Sequence, residues 1–129
     1  MILFAAVVGI VVAVMLQRNY QQRTMEHFAD ASVIGKGKPV LLELGSHQCA
    51  PCREMMPILS QLAKKYPEQF TVSLVDVWKN SAIGEKYGIS VIPTQIFFDK
   101  DGGELFRHEG FFSKAEILAK WKELGVELP

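Results

Sequence analysis

Hydrophobic positions fall along this chain in two styles. Met1 to Leu16 (MILFAAVVGIVVAVML) is an apolar run with no charged side chain; from Gln17 onward, apolar residues recur in short groups between polar ones. Gln21 to Ile34 (QQRTMEHFADASVI) has helical spacing, with Met25, Phe28, Ala29 and Ser32 on one side, and predicts a helix. Gly35-Lys36-Gly37-Lys38-Pro39 breaks it. Val40 to Leu44 is short and apolar but for Glu43, as expected for a strand covered on both faces. Ala50 to Tyr66 predicts a second helix, with Met55, Ile58, Leu59 and Leu62 on one side, Pro57 as a kink and Pro67 as its end. Phe70 to Val77 reads as a strand, and Ser81 to Tyr87 as a short helix stopped by Gly88. Thr94 to Asp99 and Glu104 to His108 flank Asp101-Gly102-Gly103, a strong hairpin signal. Ser113 to Leu124 closes the chain as a helix, with Ser113 and Glu116 spaced for a capping box. The predicted class is α/β: a central mixed sheet of about four strands flanked by helices, preceded by an N-terminal membrane helix. Strands separated by helices are expected to run parallel, and the last pair antiparallel.

The N-terminal run bears on location. A bilayer span needs about 20 apolar residues, and this run is slightly short. Arg18, Asn19, Tyr20 and Arg23 follow as an interfacial collar. An uncleaved anchor, a cleaved signal peptide and a buried helix all compete. A signal peptide begins with basic residues and ends in small ones, whereas Met1 is followed at once by apolar residues and Val14-Met15-Leu16-Gln17 is a poor cleavage site. The expected division is therefore an anchor over 1–17, a juxtamembrane segment and first helix over 18–36, and a globular domain over 37–129. Arg18 and Arg23 after the span read as a cytoplasm-facing domain. A lone N-terminal hydrophobic segment more often serves export, so an extracytoplasmic, periplasmic domain is expected, with the cytoplasm-facing arrangement as the alternative.

Composition narrows the partners. The 14 basic residues cancel the 14 acidic ones, which is unlike the basic footprint of a nucleic-acid binder. Cys49 and Cys52 are the only cysteines, too few for a disulfide scaffold, so a bridge between them points to chemistry rather than stapling. They lie where the strand Val40–Leu44 hands over to the following helix. There the free N–H groups and positive dipole end of the helix stabilise an anion, so the first thiol ionises more easily than a free one. Zinc is the competing use of a CxxC, but it needs two further ligands, and His27, His47 and His108 show no finger spacing.

This CxxC junction, Pro57 five residues after Cys52, Lys86-Tyr87-Gly88-Ile89 leading into Ile92-Pro93-Thr94, and the closing hairpin and helix together resemble thioredoxin, over roughly Val33 to Leu128. The resemblance implies a thioredoxin-like fold and a dithiol–disulfide oxidoreductase needing no cofactor or metal. It makes Cys49 the exposed nucleophile and Cys52 the buried resolving thiol, the two joining as a disulfide in the oxidised state. It implies a cis Ile92–Pro93 peptide beside the cysteines, with Ile92, Pro93, Gln48, Ala50 and Pro51 contacting an extended substrate segment. Glu43, six residues before Cys49, takes the place of the family's buried acid, which moves a proton to or from Cys52. Burial would raise its proton affinity and let it act as a base near neutral pH.

Thioredoxin itself has tryptophan before the first cysteine, Gly-Pro between the pair and aspartate as the buried acid. Here stand Gln48, Ala50-Pro51 and Glu43, and Leu74 occupies the place of a lysine found near the acid in cytosolic members. In this the chain is similar to membrane-tethered, extracytoplasmic thioredoxin-like reductases that serve cytochrome c maturation and related thiol delivery. The expected partners are then protein dithiols and disulfides, a transmembrane thiol electron donor, and the membrane itself.

Each candidate also has a plainer explanation. Glu43 would be idle if it pointed from an edge strand into water. His47 could tune Cys49 or be an ordinary loop histidine. Pro93 could be trans and end a loop, Met55 and Met56 are read as packing, and Trp78 is either a substrate platform or a strand cap. Between functions, a reductant leads because no histidine inside the CxxC stabilises the thiolate. The alternatives are a disulfide oxidant or isomerase, and a non-catalytic thioredoxin-fold binding module, which would have no use for a buried base.

Overall fold

The computed structural model describes residues 1–25 and 28–129, with side chains described outside 20–27. The elements are α1 (Ile2–Met25), β1 (Val40–Gly45), α2 (Ala50–Lys65), β2 (Thr71–Asp76), α3 (Ser81–Lys86), β3 (Thr94–Phe98), β4 (Glu104–Glu109) and α4 (Lys114–Glu123). The four strands form one mixed sheet in the order β2-β1-β3-β4.

The strand β1 is interior, and all six of its residues are buried. Its alternation divides two cores. Leu41 packs on one face with Met55, Leu59 and Leu62 of α2 and Ile117 and Trp121 of α4. Val40, Leu42 and Leu44 pack on the other with Val77, Ile96 and Phe98, against Ile83 and Tyr87. Trp121 is fully buried between Phe97, 4.7 Å away, and Phe70, 5.0 Å away. Burying a side chain of this class contributes on the order of 1.5–3 kcal/mol, so the aromatic stack anchors α4 to the sheet. The capping box at its start forms as expected: Ser113 Oγ accepts the Glu116 amide at 3.3 Å, and Glu116 Oε2 accepts the Ser113 amide at 2.9 Å. The helix α2 runs unbroken through Pro57.

Two expectations are corrected. The helix read over Gln21–Ile34 does not form in its second half. Residues 26–27 lie outside the described residues. Beyond them Ala29 bridges Ser73 in parallel, and Asp30 caps a 3₁₀ turn over Ala31–Val33 by accepting the Ser32 amide at 2.8 Å. Ala29 N–H donates to the Val72 carbonyl at 3.3 Å, and its carbonyl accepts Leu74 N–H at 3.2 Å. The outer edge of β2 would otherwise present unpaired backbone groups, and this pairing outweighs the local helical spacing.

The second correction concerns β3, which runs antiparallel to β1 although α3 precedes it; only β1 and β2 are parallel. A six-residue strand spans roughly 20 Å and a six-residue helix roughly 9 Å. With only six residues, α3 cannot carry the chain back to the far end of the sheet. Strand β3 therefore starts beside the C-terminal end of β1, with Thr94 paired to Leu44. That places Ile92-Pro93 beside the loop carrying the cysteines. The hairpin β3–β4 is antiparallel as expected.

Candidate active site

Cys49 is the N-cap of α2, in extended backbone, and its sulfur accepts the Cys52 N–H at 3.4 Å. Cys49 and Cys52 are joined as a disulfide with Cα atoms 5.2 Å apart, so this is the oxidised state. Cys49 is half-buried and Cys52 is buried against β1. Cys49 is thus the more accessible of the two. On reduction the Cys49 thiolate would face the free N–H groups of the first turn of α2, which favour its charge.

The Ile92–Pro93 peptide is cis. The Ile92 carbonyl oxygen lies 4.0 Å from Cys49 Sγ. Pro93 is buried, its carbonyl accepts Gly110 N–H at 2.7 Å, and Thr94 Oγ1 donates to the Val91 carbonyl at 2.6 Å, so this loop is held from both sides. Gln48, Ala50 and Pro51 are exposed around Cys49. The structure therefore gathers Cys49, Cys52, Ile92, Pro93, Gln48, Ala50 and Pro51 at one end of the sheet.

Glu43 is 1% exposed in the interior strand, which excludes an idle carboxylate facing water. Burial pushes its pKa up to about 8, because desolvation penalises the charged form. The Gln95 amide pulls the other way, although the two groups are not aligned as a hydrogen bond. Leu74 is the β2 partner of Glu43, so the position on that side offers no cation.

Gly45 completes the arrangement. A Cβ there would sit 3.2 Å from Cys52 Sγ and 3.7 Å from Glu43 Oε1, so glycine leaves sulfur and carboxyl bordering one space. The cavity at this point, about 10 Å³, is lined by Glu43, Gly45, Cys52, Met56, Leu74 and Asp76 among others.

The remaining candidates have other partners. His47 meets Asp76, at 3.8 Å from Nε2 to Oδ2, and both line the cavity. Asp76 also accepts the backbone N–H groups of Trp78 at 3.0 Å and Lys79 at 3.2 Å. Trp78 is 60% exposed. Met55 is core and accepts the Phe112 amide on its sulfur at 3.3 Å, while Met56 lines the cavity. His108 stacks on Phe112 at 3.9 Å. Among the described residues no three His, Cys, Asp or Glu side chains gather as metal ligands.

Sequence reasoning missed Gly45, Asp76 and Gln95. Gln95 had a weak signal, as a long polar side chain directly before the apolar run Ile96-Phe97-Phe98. Its importance depends on strand register, which places it directly opposite Glu43.

Reduction of a disulfide by such a pair requires an accessible first sulfur, a shielded second one and a group able to take up the second thiol's proton. Cys49 is half-buried, Cys52 is buried, and the Glu43 carboxyl lines the same cavity as Cys52. The thioredoxin family model matches residues 19–123. A thioredoxin of Mycolicibacterium smegmatis is 38% identical over 88 residues, covering 67% of this chain and 78% of the relative. A thioredoxin of Chlamydia trachomatis serovar D is 35% identical over 95 residues, covering 74% and 88%. The chloroplastic thioredoxin Y1 of Arabidopsis thaliana is 31% identical over 100 residues, covering 78% of this chain but only 57% of that longer protein. The chain therefore belongs to the thioredoxin family of thiol–disulfide oxidoreductases, with Cys49–Cys52 as its redox pair.

Proposed function

We propose that this chain is a membrane-tethered reductant of protein disulfides, with Glu43 as the proton acceptor for Cys52. The observation that carries the reading is the buried Glu43 carboxyl sharing a cavity with the Cys52 sulfur. In the reduced state the Cys49 thiolate attacks one sulfur of a substrate disulfide. That S–S bond breaks, a Cys49–substrate mixed disulfide forms, and the other substrate sulfur leaves with the electron pair and takes a proton. The ionised fraction of Glu43 then accepts the Cys52 proton and becomes the carboxylic acid. The Cys52 thiolate attacks Cys49 Sγ, expelling the second substrate thiol and closing the Cys49–Cys52 disulfide. A carboxyl held near pKa 8 retains this proton at neutral pH in the oxidised protein. Ile92, Pro93, Gln48, Ala50 and Pro51 border Cys49 and hold the extended substrate segment.

The tether is supported by α1, whose stretch Ile2–Asn19 has mean hydropathy 2.0, no buried residues and sufficient length to cross a bilayer. Its position ahead of a globular domain supports export. An exported reductant consumes electrons outside the cytoplasm, so its own reduction requires a transmembrane thiol carrier. Alkaline carbonate extraction and labelling by a membrane-impermeant maleimide after mild reduction test this arrangement. The expected result is retention in the membrane with Cys49 labelled from the extracytoplasmic side. Release by carbonate would contradict the anchor, and labelling only from the cytoplasmic side would contradict export.

A further inference from the structure

The α2-facing side of the interior strands β1 and β3 contains a second buried polar side chain besides Glu43. Gln95 is 0% exposed and is the direct antiparallel partner of Glu43. Directly opposed positions in such a pair bring Cβ atoms to about 5 Å, so both side chains project from the same face within mutual reach. Among the described residues, neither Gln95 Nε2 nor Oε1, and neither carboxyl oxygen of Glu43, has a hydrogen-bond partner. An amide buried without partners is destabilising, because it gives up its hydrogen bonds to water and gains none in return. Phe97 and Leu41, the next cross-strand pair on this face, are apolar and buried. An aliphatic residue at 95 would therefore suit packing better than glutamine.

We propose that Gln95 is a positioning residue that partners Glu43 in both of its protonation states. Gln95 Nε2 donates to the carboxylate, and after proton uptake Oε1 accepts from the carboxylic acid; rotation about the terminal amide torsion exchanges the two. A cation beside Glu43, in the place Leu74 occupies, would stabilise only the anion. A neutral amide lets the acid gain and lose its proton without leaving a buried group unmet in either state. The other titratable groups facing this space are Cys52 from α2, His47 from the β1–α2 loop and Asp76 at the end of β2. The catalytic part of the inference rests on Glu43 acting as proton acceptor; its effect on the Glu43 titration does not.

The test uses the full chain, oxidised, in detergent micelles, with Gln95→Met and, if that variant does not unfold cooperatively, Gln95→Leu. The carbonyl stretch of protonated Glu43, assigned by its loss in Glu43→Gln, is followed by infrared spectroscopy against pH. Loss of the amide removes a hydrogen bond from both forms of Glu43, but the one to the charged carboxylate is the stronger, so the midpoint is expected to rise by about one pH unit. The pH profile of mixed-disulfide resolution is expected to move the same way, and the Gln95 substitution to add nothing in a Glu43→Gln background. An unchanged midpoint in a folded variant overturns the proposal, as does a rate defect that persists undiminished without Glu43. A shifted midpoint with an unchanged rate profile supports the pairing and instead refutes Glu43 as the proton acceptor.

Discussion

With Cys52→Ser, the full chain is expected to stall as a covalent adduct: Cys49 captures a substrate disulfide and nothing inside the protein releases it. Cys52 is buried against β1, one helical turn from Cys49, with the two Cα atoms 5.2 Å apart. Its attack on the mixed disulfide is therefore intramolecular and oriented. Replacing such a nucleophile by a dilute external thiol costs about 10³-fold or more in turnover. Cys49→Ser should abolish turnover without forming any adduct, because the remaining sulfur is shielded. Mass spectrometry of the trapped species and turnover with a protein disulfide substrate check both variants. Adducts on Cys49→Ser but not on Cys52→Ser would reverse the assigned roles.

The second large effect concerns Glu43. Glu43→Gln keeps the shape of the side chain but cannot take a proton, and resolution of the mixed disulfide at neutral pH should slow about 10²-fold. Stability should respond in the opposite sense. The folded carboxyl has its pKa raised from 4.5 to about 8, so between those values the folded chain holds a proton that the unfolded chain has lost. Stability is then fully present below about 4.5, falls as pH rises through this window and levels off above about 8. Between pH 5 and pH 8 the wild type should lose on the order of 3 kcal/mol on this account. Glu43→Gln should lack that slope and be the more stable protein at pH 8. Denaturant unfolding of the full chain at several pH values reads both statements. Equal slopes in the two proteins would mean that Glu43 is not protonated in the fold.

The readable parts of the sequence were those in which local pattern and tertiary demand agree. Val40–Leu44 between turn signals, the spacing of Met55, Leu59 and Leu62, Asp101-Gly102-Gly103 and the Ser113–Glu116 box each carry a local physical cause, and each forms where expected. The pattern over Phe28–Ile34 is also periodic, yet the open edge of β2 draws Ala29 into pairing and overrides it. Periodicity carries no information about that edge. Strand direction was misread for β3 because α3 is too short to bring the chain back, a matter of length rather than pattern. At the site, Cys49, Cys52 and Pro93 are marked by motif, and Glu43 by the resemblance, which puts it in the place of the family's buried acid six residues before Cys49. Gln95 was not marked, since a single glutamine gains meaning only from the register that sets it opposite Glu43.

The direction of electron flow separates a reductant from a disulfide oxidant. Ala50 and Pro51 place no charge or side-chain donor between the sulfurs, which leaves the N–H groups at the start of α2, such as that of Cys52, to stabilise the Cys49 thiolate. A modestly stabilised thiolate leaves the reduced pair a good electron donor. The reduction potential of Cys49–Cys52 in the full chain, from equilibration in dithiothreitol or glutathione buffers, measures this directly. The expected value lies near that of thioredoxin, about −270 mV. A value near −120 mV would contradict a reductant and make the protein a disulfide oxidant.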